Sequence, residues 1–501
     1  MKRIVLATLL ALSFFAAPAL AGPGGTTALL PYMDLTSPPT PRLTVDTAPT
    51  VGTQLTFWGW DLSDMPPTDR QFTATCRGVS DFGYVFVEDD LWNVDMDQDD
   101  VDAILQAWDE STPAGSIDPD AGIYDIETDV YGDPPDVDGW PGVVLLYYEI
   151  GCFMGQCFDG FYRYDDQSPG THSNLMDMIH LEGKTSDPGS EYMLGVTAHE
   201  FNHMLQMQHD LNEETWLAES LAEAAMILTG YDTDIGWLND FVANPESCFW
   251  DQDMEMHYGA ALLLGTYLYE YGGVELLQGI NADDANGESS IEDQLSAIGM
   301  AATFNEFFGD MTAAIAADYF VDNTKGPDHF EYELLEIGEL SWTDEIAMTD
   351  EPFTLPLNIA AGTMQAYKFT MEPDEFTQVV FLFPDNSADM VEGAMVDLRA
   401  AEFGVLTTRF NSQWDAWPQF NSTFHGTNGL LLVLANPTHS DIETSVDIDF
   451  ELVIESPDDD DDNDDNDDID DDDDDNDDND DNDDFGDDDD DDDDDSGSCG
   501  C

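Results

Sequence analysis

The sequence predicts an α+β protein, because apolar residues follow different periods in different parts of its 501 positions. Apolar and alternating runs, typical of strands, fill residues 51–150, whereas residues 192–320 repeat apolar positions at helical spacing. Alternation returns over residues 352–454 and gives way to a tail that is almost entirely aspartate. We therefore expect a body with a mixed sheet and a helical half, followed by a β-sandwich and a disordered acidic tail.

The N-terminus has the pattern of a secretory signal peptide. Lys2 and Arg3 precede the apolar run Ile4–Phe15, and Ala19-Leu20-Ala21 matches a signal-peptidase cleavage box. We place the signal at residues 1–21 and an extended leader, rich in Pro, Thr and Gly, at residues 22–50. No later run is long enough to span a membrane, so the sequence predicts a secreted, extracellular protein without a transmembrane segment.

Within the first strand-rich region we expect strands around Tyr84 and Leu145, with a helix between them at Gln98–Trp108. The aspartates just ahead of this helix suit its positive end. The same residues resemble a calcium loop, but Asp100 stands where an EF-hand needs glycine and Gln106 where it needs glutamate. The helix start is the favoured interpretation.

The motif His199-Glu200-Phe201-Asn202-His203 points to a metal site. Residues four apart share one face of a helix, so the two histidines can bind one zinc ion. Glu200 points about 100° away around the helix, where it can act as general base on a metal-activated water. Two imidazoles and one carboxylate would leave the fourth zinc position open, as a catalytic zinc site requires.

Two residues compete for the third ligand position. His209 completes the spacing of the metzincin motif, but Gln206 stands where metzincins have the glycine that breaks the helix. Glu219, on the next predicted helix, is the preferred ligand. Glu223 lies one turn further and is expected to accept a hydrogen bond from a ligand histidine; its alternative role is that of a solvated surface glutamate.

The segment Trp216–Glu223 resembles the W-x-x-E-G-x-A-E segment that supplies the glutamate ligand in gluzincin peptidases, with Ser220 in place of the glycine. Residues 57–320 as a whole resemble the hyicolysin-type gluzincins, which are secreted bacterial zinc metallopeptidases. The resemblance implies a zincin-like (thermolysin-like) metallopeptidase domain at residues 51–322 that hydrolyses proteins or peptides. It further implies that Met178–Leu181 is an edge strand that pairs with substrate, and that Tyr258 or His257 polarises the oxyanion; a buried structural tyrosine is the alternative for Tyr258.

The chain has six cysteines. In an oxidising compartment the first four allow three disulfide connectivities, of which we favour Cys152–Cys157 with Cys76–Cys248. A less favoured hypothesis makes Cys76 a switch that caps zinc in a latent form.

The charge is extreme, with 11 basic and 110 acidic residues and a net charge of −99. Thirty of the 38 residues from Asp458 to Asp495 are aspartate, which leaves the rest of the chain at −69. Such a surface excludes nucleic-acid partners, which need a basic face, and suggests saline or calcium-rich surroundings. Calcium is therefore a second candidate metal.

The C-terminal regions give less functional information. Residues 350–455 predict the β-sandwich, an accessory domain, and residues 456–501 the disordered tail, which ends in Cys499-Gly500-Cys501 and is a candidate for cell-surface attachment. Two functions follow: a secreted zinc endopeptidase with Glu200 as general base, or an inactive peptidase-like surface or adhesion protein with a calcium-binding tail. The intact motif favours the first.

Overall fold

The computed structural model describes fifteen stretches of the chain. They are residues 25–41, 47–153, 156–231, 235–250, 254–300, 302–318, 332–338, 340–347, 353–370, 376–382, 392–397, 406–411, 419–423, 430–438 and 448–455. The predicted signal peptide and the acidic tail with Cys499 and Cys501 lie outside them. Within the described residues the chain is a mixed α+β protein, as the sequence predicts.

A six-stranded mixed sheet forms the first part of the body. In chain order it contains β1 (Gln54–Asp61), β2 (Thr68–Val79), β3 (Gly83–Glu88), β4 (Val143–Tyr148), β7 (Gly160–Tyr162) and β8 (Met178–Glu182), arranged spatially as β1-β2-β3-β4-β8-β7. Strands β3, β4 and β8 run parallel, whereas β2 and β7 run antiparallel to their neighbours. Between β4 and β7, the pair β5 (Cys152–Phe153) and β6 (Gln156–Cys157) forms a small ribbon.

The two faces of this sheet are covered by different apolar cores. Alternate residues of β4 divide between them, since Leu145 and Tyr147 join the larger core and Leu146 and Tyr148 the smaller one. Both faces of β3 and β4 are buried, which explains the uninterrupted apolar runs Tyr84–Val87 and Val143–Tyr148.

Helices contribute most of the rest of the larger core. They are α2 (Gln98–Asp109), α3 (Ile123–Tyr131), α4 (Glu191–Gln206), α5 (Thr215–Leu228), α6 (Ile235–Ala243), α7 (Met254–Ala282), α8 (Glu288–Ala297) and α9 (Phe304–Ala317). Helix α5 packs between α4 and α7, and α4 also contacts β7. None of the helices in the described part of the chain combines the length and apolarity needed to cross a bilayer.

The helices are followed by two further sheets. One has the order β10-β17-β12-β15 and the other β14-β13-β16-β11-β9. Their strands are β9 (Asp344–Ala347), β10 (Phe353–Ile359), β11 (Thr363–Thr370), β12 (Phe376–Leu382), β13 (Glu392–Asp397), β14 (Leu406–Asn411), β15 (Gln419–Thr423), β16 (Leu430–Asn436) and β17 (Ile448–Glu455). Met364 and Val433 belong to the same apolar core as the helices, so this region shares its core with the body.

The predicted helix after the aspartate cluster is confirmed as α2. Asp97 is its N-cap and accepts a hydrogen bond from Asp99 N at 2.8 Å, while the Asp100 side chain accepts one from Asp97 N at 2.7 Å. These carboxylates cap a helix, which is the interpretation that the sequence favoured over a calcium loop.

Two predictions about the path of the chain are wrong. Strand β8 (Met178–Glu182) is not at the edge, because it pairs with β4 on one side and with β7 on the other. The strand at this edge of the sheet is β7, whose three residues are too few for a periodic pattern. Within the leader, Thr26–Leu29 forms one helical turn, α1, rather than extended chain. The hydroxyls of Thr26 and Thr27 in this turn donate hydrogen bonds to the body.

Of the two expected disulfides, Cys152–Cys157 is confirmed, and Cys76–Cys248 is wrong. Cys76 remains a thiol, fully buried in the smaller core. Cys248 lies close to the larger core, so the sheet separates the two side chains. Burial raises the pKa of the Cys76 thiol to about 11, which suits a structural cysteine.

Candidate metal centre

Helix α4 positions the two motif histidines. Ser190 is its N-cap and accepts a hydrogen bond from Met193 N, so the helix begins two turns before His199. From Met193 to Gln206 every residue is buried, because α4 lies between the sheet and α5. His199 and His203, one turn apart, therefore point into the protein interior and not into solvent.

Helix α5 positions the carboxylates. It can lie close to α7 because residue 265 is glycine: a Cβ there would meet the carbonyl oxygen of Ser220 at 2.0 Å. At its other side, Gln206 Nε2 donates to Ala218 O at 3.0 Å and joins the end of α4 to α5. These two contacts place Glu219 opposite the motif histidines.

The ligand atoms of His199, His203 and Glu219 converge. His199 Nε2 lies 3.2 Å from His203 Nε2 and 3.1 Å from Glu219 Oε2, and His203 Nε2 lies 3.7 Å from Glu219 Oε1. A tetrahedral zinc with bonds of about 2.0–2.1 Å separates its ligand atoms by about 3.3 Å. The three side chains thus have the spacing of three corners of a zinc tetrahedron.

The hydrogen bonding of these atoms also fits a cation. Glu219 Oε2 is buried and accepts no hydrogen bond of normal geometry from the described residues. The imidazole nitrogens of His199 and His203 face each other at 3.2 Å, so with neutral rings at most one of them carries a proton and at least one offers a lone pair. One cation between the three side chains would satisfy all of these atoms.

The charges within the group support one another even without a cation. Burial would lower the pKa of the His199 imidazole, but the Glu219 and Glu223 carboxylates raise it well above its usual value. Burial would raise the pKa of Glu219, but His203 and His199 hold it well below its usual value. The site therefore strongly favours positive charge next to Glu219.

Glu200 lies fully buried beside the edge strand β7. Its Oε2 accepts hydrogen bonds from Tyr162 N at 2.9 Å and from Thr26 Oγ1 at 2.5 Å, and its Oε1 accepts one from Gly25 N at 3.1 Å. Burial raises the pKa of the Glu200 carboxyl, while the two motif histidines act in the opposite direction. A carboxyl with a raised pKa is suited to proton transfer near neutral pH.

Behind the metal group, Glu223 Oε1 lies 3.2 Å from His199 Nδ1, the ring nitrogen that points away from Glu219. This is the place expected of a carboxylate that orients a ligand histidine, and not that of a solvated glutamate, because Glu223 is fully buried. Sequence analysis missed a third carboxylate, Glu127 of α3. It is also fully buried near His199, but a lone glutamate on an amphipathic helix resembles a surface residue.

The other described residues predicted for the site lie outside the converging group of ligand atoms. His209 is exposed in the turn after α4 and does not belong to the converging group, so the geometry favours Glu219 as third ligand. The ring of Tyr258 is buried, with its centroid 6.2 Å from that of His199. The side chain of His257 lies outside the described residues. Cys76 lies in the core on the far side of the sheet, which rules out a cysteine switch.

A second group of acidic side chains, Asp136, Asp138 and Asp177, is close enough to share a cation. Hydrogen bonds within the protein already account for the buried pair. Asp177 accepts from Val137 N and Gln167 Nε2, and Asp138 accepts from Trp140 N. Calcium stays a prediction.

Comparisons with known proteins do not assign a family. No family model and no curated protein matches the chain. Among solved structures, one match is PliG of Aeromonas hydrophila, a periplasmic lysozyme inhibitor of g-type lysozyme. It is 8% identical, covers 23% of this chain and 100% of its own, and has a TM-score of 0.16, so it supports no conclusion about fold or function.

Proposed function

We propose that the protein is a secreted zinc-dependent endopeptidase of the gluzincin type, with a zincin-like catalytic body. The observation that supports this most is the convergence of His199, His203 and Glu219 on one buried point, with Glu200 adjacent on the same helix. The sequence resemblance to hyicolysin-type peptidases and the order of mixed sheet before helical half agree with it.

In the proposed reaction, His199, His203 and Glu219 would hold zinc, which when bound would act as a Lewis acid and lower the pKa of water. Glu200 accepts a proton from the water that attacks the peptide carbonyl carbon. It then passes the proton to the amide nitrogen as the C–N bond breaks, which restores the carboxylate. Tyr258 is the proposed donor to the developing oxyanion.

The environment of Glu200 supports its part in this scheme. Tyr162 N, at the end of edge strand β7, holds one oxygen of the carboxylate at 2.9 Å. An extended peptide would pair with the outward-facing backbone groups of the same edge, so substrate and base would meet at one point. Glu223 is proposed to fix the orientation of His199 through its Nδ1 nitrogen.

The test is hydrolysis of casein by the purified chain, before chelation, after chelation and with zinc restored. Because Gly25 and Thr26 bond to Glu200, the assay includes a form cut by a site-specific protease at a sequence inserted after Pro41. We expect activity that is lost on chelation and regained with zinc. Glu200→Gln should still bind one zinc but lower kcat/KM by about 10³-fold or more.

A matched control for that variant is Glu191→Gln in the first turn of α4, which is exposed and far from the motif. It should hydrolyse casein like the wild type. Full activity of Glu200→Gln would refute the assigned base. A zinc-loaded, cut chain that hydrolyses no protein or peptide would favour the inactive surface-protein alternative.

A further inference from the structure

The N-terminal segment Gly25–Tyr32 contacts both carboxylates on which the proposed chemistry depends. Gly25 N and Thr26 Oγ1 donate to the two oxygens of Glu200, at 3.1 Å and 2.5 Å. The next residue, Thr27, donates from its hydroxyl to Glu219 Oε1. Three consecutive residues of the leader are thus bonded to the general base and to a metal ligand.

The same segment covers the end of the edge strand. Tyr162 N donates to Thr26 Oγ1 at 2.7 Å, and Thr26 Oγ1 lies 3.5 Å from Tyr162 O. These are the backbone donor and acceptor with which an incoming extended peptide would pair. The Thr26 hydroxyl therefore accepts a hydrogen bond from that donor, lies next to that acceptor and donates its own proton to Glu200.

Apolar packing fixes the segment in this place. Leu29 is fully buried in the smaller core, which also contains Phe158 and Phe161. At Gly25 the backbone approaches the body so closely that a Cβ would meet a ring carbon of Phe158 at 2.9 Å and Gly160 O at 3.0 Å. Thr26 is 1% exposed, so a substrate cannot reach Glu200 while the segment is in place.

On the basis of the function proposed above, we propose that Gly25–Tyr32 is a built-in occupant of the substrate cleft, which keeps the chain latent until the segment is cut off or displaced. With the segment in place, the oxygens of Glu200 accept hydrogen bonds from Gly25 and Thr26, and the Glu200 side chain is fully buried. The predicted signal-peptidase cut after Ala21 precedes the segment. Secretion alone would therefore leave it on the mature chain.

The test uses the full chain with a site-specific protease sequence inserted after Pro41, which is exposed. Three measurements compare the cut and uncut forms: binding of a fluorescent peptide hydroxamate to the zinc-loaded chain, casein hydrolysis, and native mass spectrometry of the zinc-free chain. If the segment leaves the site accessible in less than about 1% of the molecules, the apparent affinity for hydroxamate falls by about a hundredfold or more relative to an open site. We expect that difference between uncut chain and cut chain freed of the fragment, with a similar gain in hydrolysis.

Native mass spectrometry of the zinc-free, freshly cut chain should show the fragment still bound, because its contacts are to protein groups. Two substitutions in the uncut chain provide a second test. Leu29→Asp places a charge in the apolar core and should release the segment, so that hydroxamate binds as tightly as to the cut chain. Tyr32→Asp, in the same segment but 44% exposed, should leave the chain latent.

The outcomes separate this proposal from the one on which it rests. Equal hydroxamate affinity and equal hydrolysis in cut, uncut and Leu29→Asp chains would overturn latency and leave the peptidase intact. If cutting opens the site to hydroxamate but casein is not hydrolysed, occlusion stands and the peptidase proposal fails. If neither form takes up zinc or hydroxamate, both proposals fail.

Discussion

Replacing Glu223 by glutamine should weaken zinc binding about tenfold without unfolding the protein. The carboxylate of Glu223 lies 3.2 Å from His199 Nδ1 in a fully buried environment. A hydrogen bond to a charged partner contributes about 1.5–3 kcal/mol and a neutral one about 0.5–1.5 kcal/mol. Glutamine keeps an acceptor but loses the charge, so the loss is about 1–1.5 kcal/mol, which corresponds to roughly tenfold in affinity.

The assay is competition for zinc against a chromophoric chelator at pH 7. Ser220→Ala is the matched control, since Ser220 is also buried on α5 and its hydroxyl donates along its own helix, to Trp216 O at 2.7 Å. Its zinc affinity should stay within about twofold of the wild type. Wild-type affinity in Glu223→Gln would refute the role of Glu223 as the partner of His199.

Three further predictions concern stability. Burial raises the pKa of Glu270 to about 8. The folded state should therefore lose stability as pH rises from about 4.5 towards 8, by at most about 1.4 kcal/mol per pH unit. Urea unfolding of Glu270→Gln should show a weaker dependence on pH, and a parallel decline in the variant and the wild type would contradict the prediction. Asp97→Ala removes the N-cap of α2 and should cost about 1 kcal/mol, whereas Asp99→Ala, whose side chain does not cap the helix, should cost much less by the same method. Chelation should lower the melting temperature, because it removes the stabilisation by bound zinc, which is about 4 kcal/mol when the free zinc concentration is a thousand times Kd. An unchanged melting temperature would argue against a bound metal.

The parts of the fold that could be predicted from sequence are those with local determinants. Helix α2 follows from the aspartates at its start, and the helical half from its apolar period. The proximity of His199 and His203 follows from helix geometry alone. Glu219 was predicted as the third ligand because its segment resembles the gluzincin one, and its carboxylate lies 3.1 Å from His199 Nε2.

What could not be predicted depends on contacts between distant residues. Strand β7 has only three residues, and pairing with β8 rather than periodicity makes it a strand. Helix α1 has only four residues, and its bonds to Glu200 and Glu219 join residues more than 170 positions apart. The pairing of Cys76 with Cys248 failed for a related reason, because spacing along the chain does not reveal which face of a sheet a cysteine occupies.

The most direct test of the central claim is X-ray absorption at the zinc edge of the zinc-loaded chain. We expect one zinc per chain with only nitrogen and oxygen neighbours at about 2.0–2.1 Å, including the signature of two imidazoles. Glu219→Ala should lose zinc or change this spectrum. Sulfur neighbours at about 2.3 Å, or a chain that retains no zinc, would contradict a centre built from His199, His203 and Glu219.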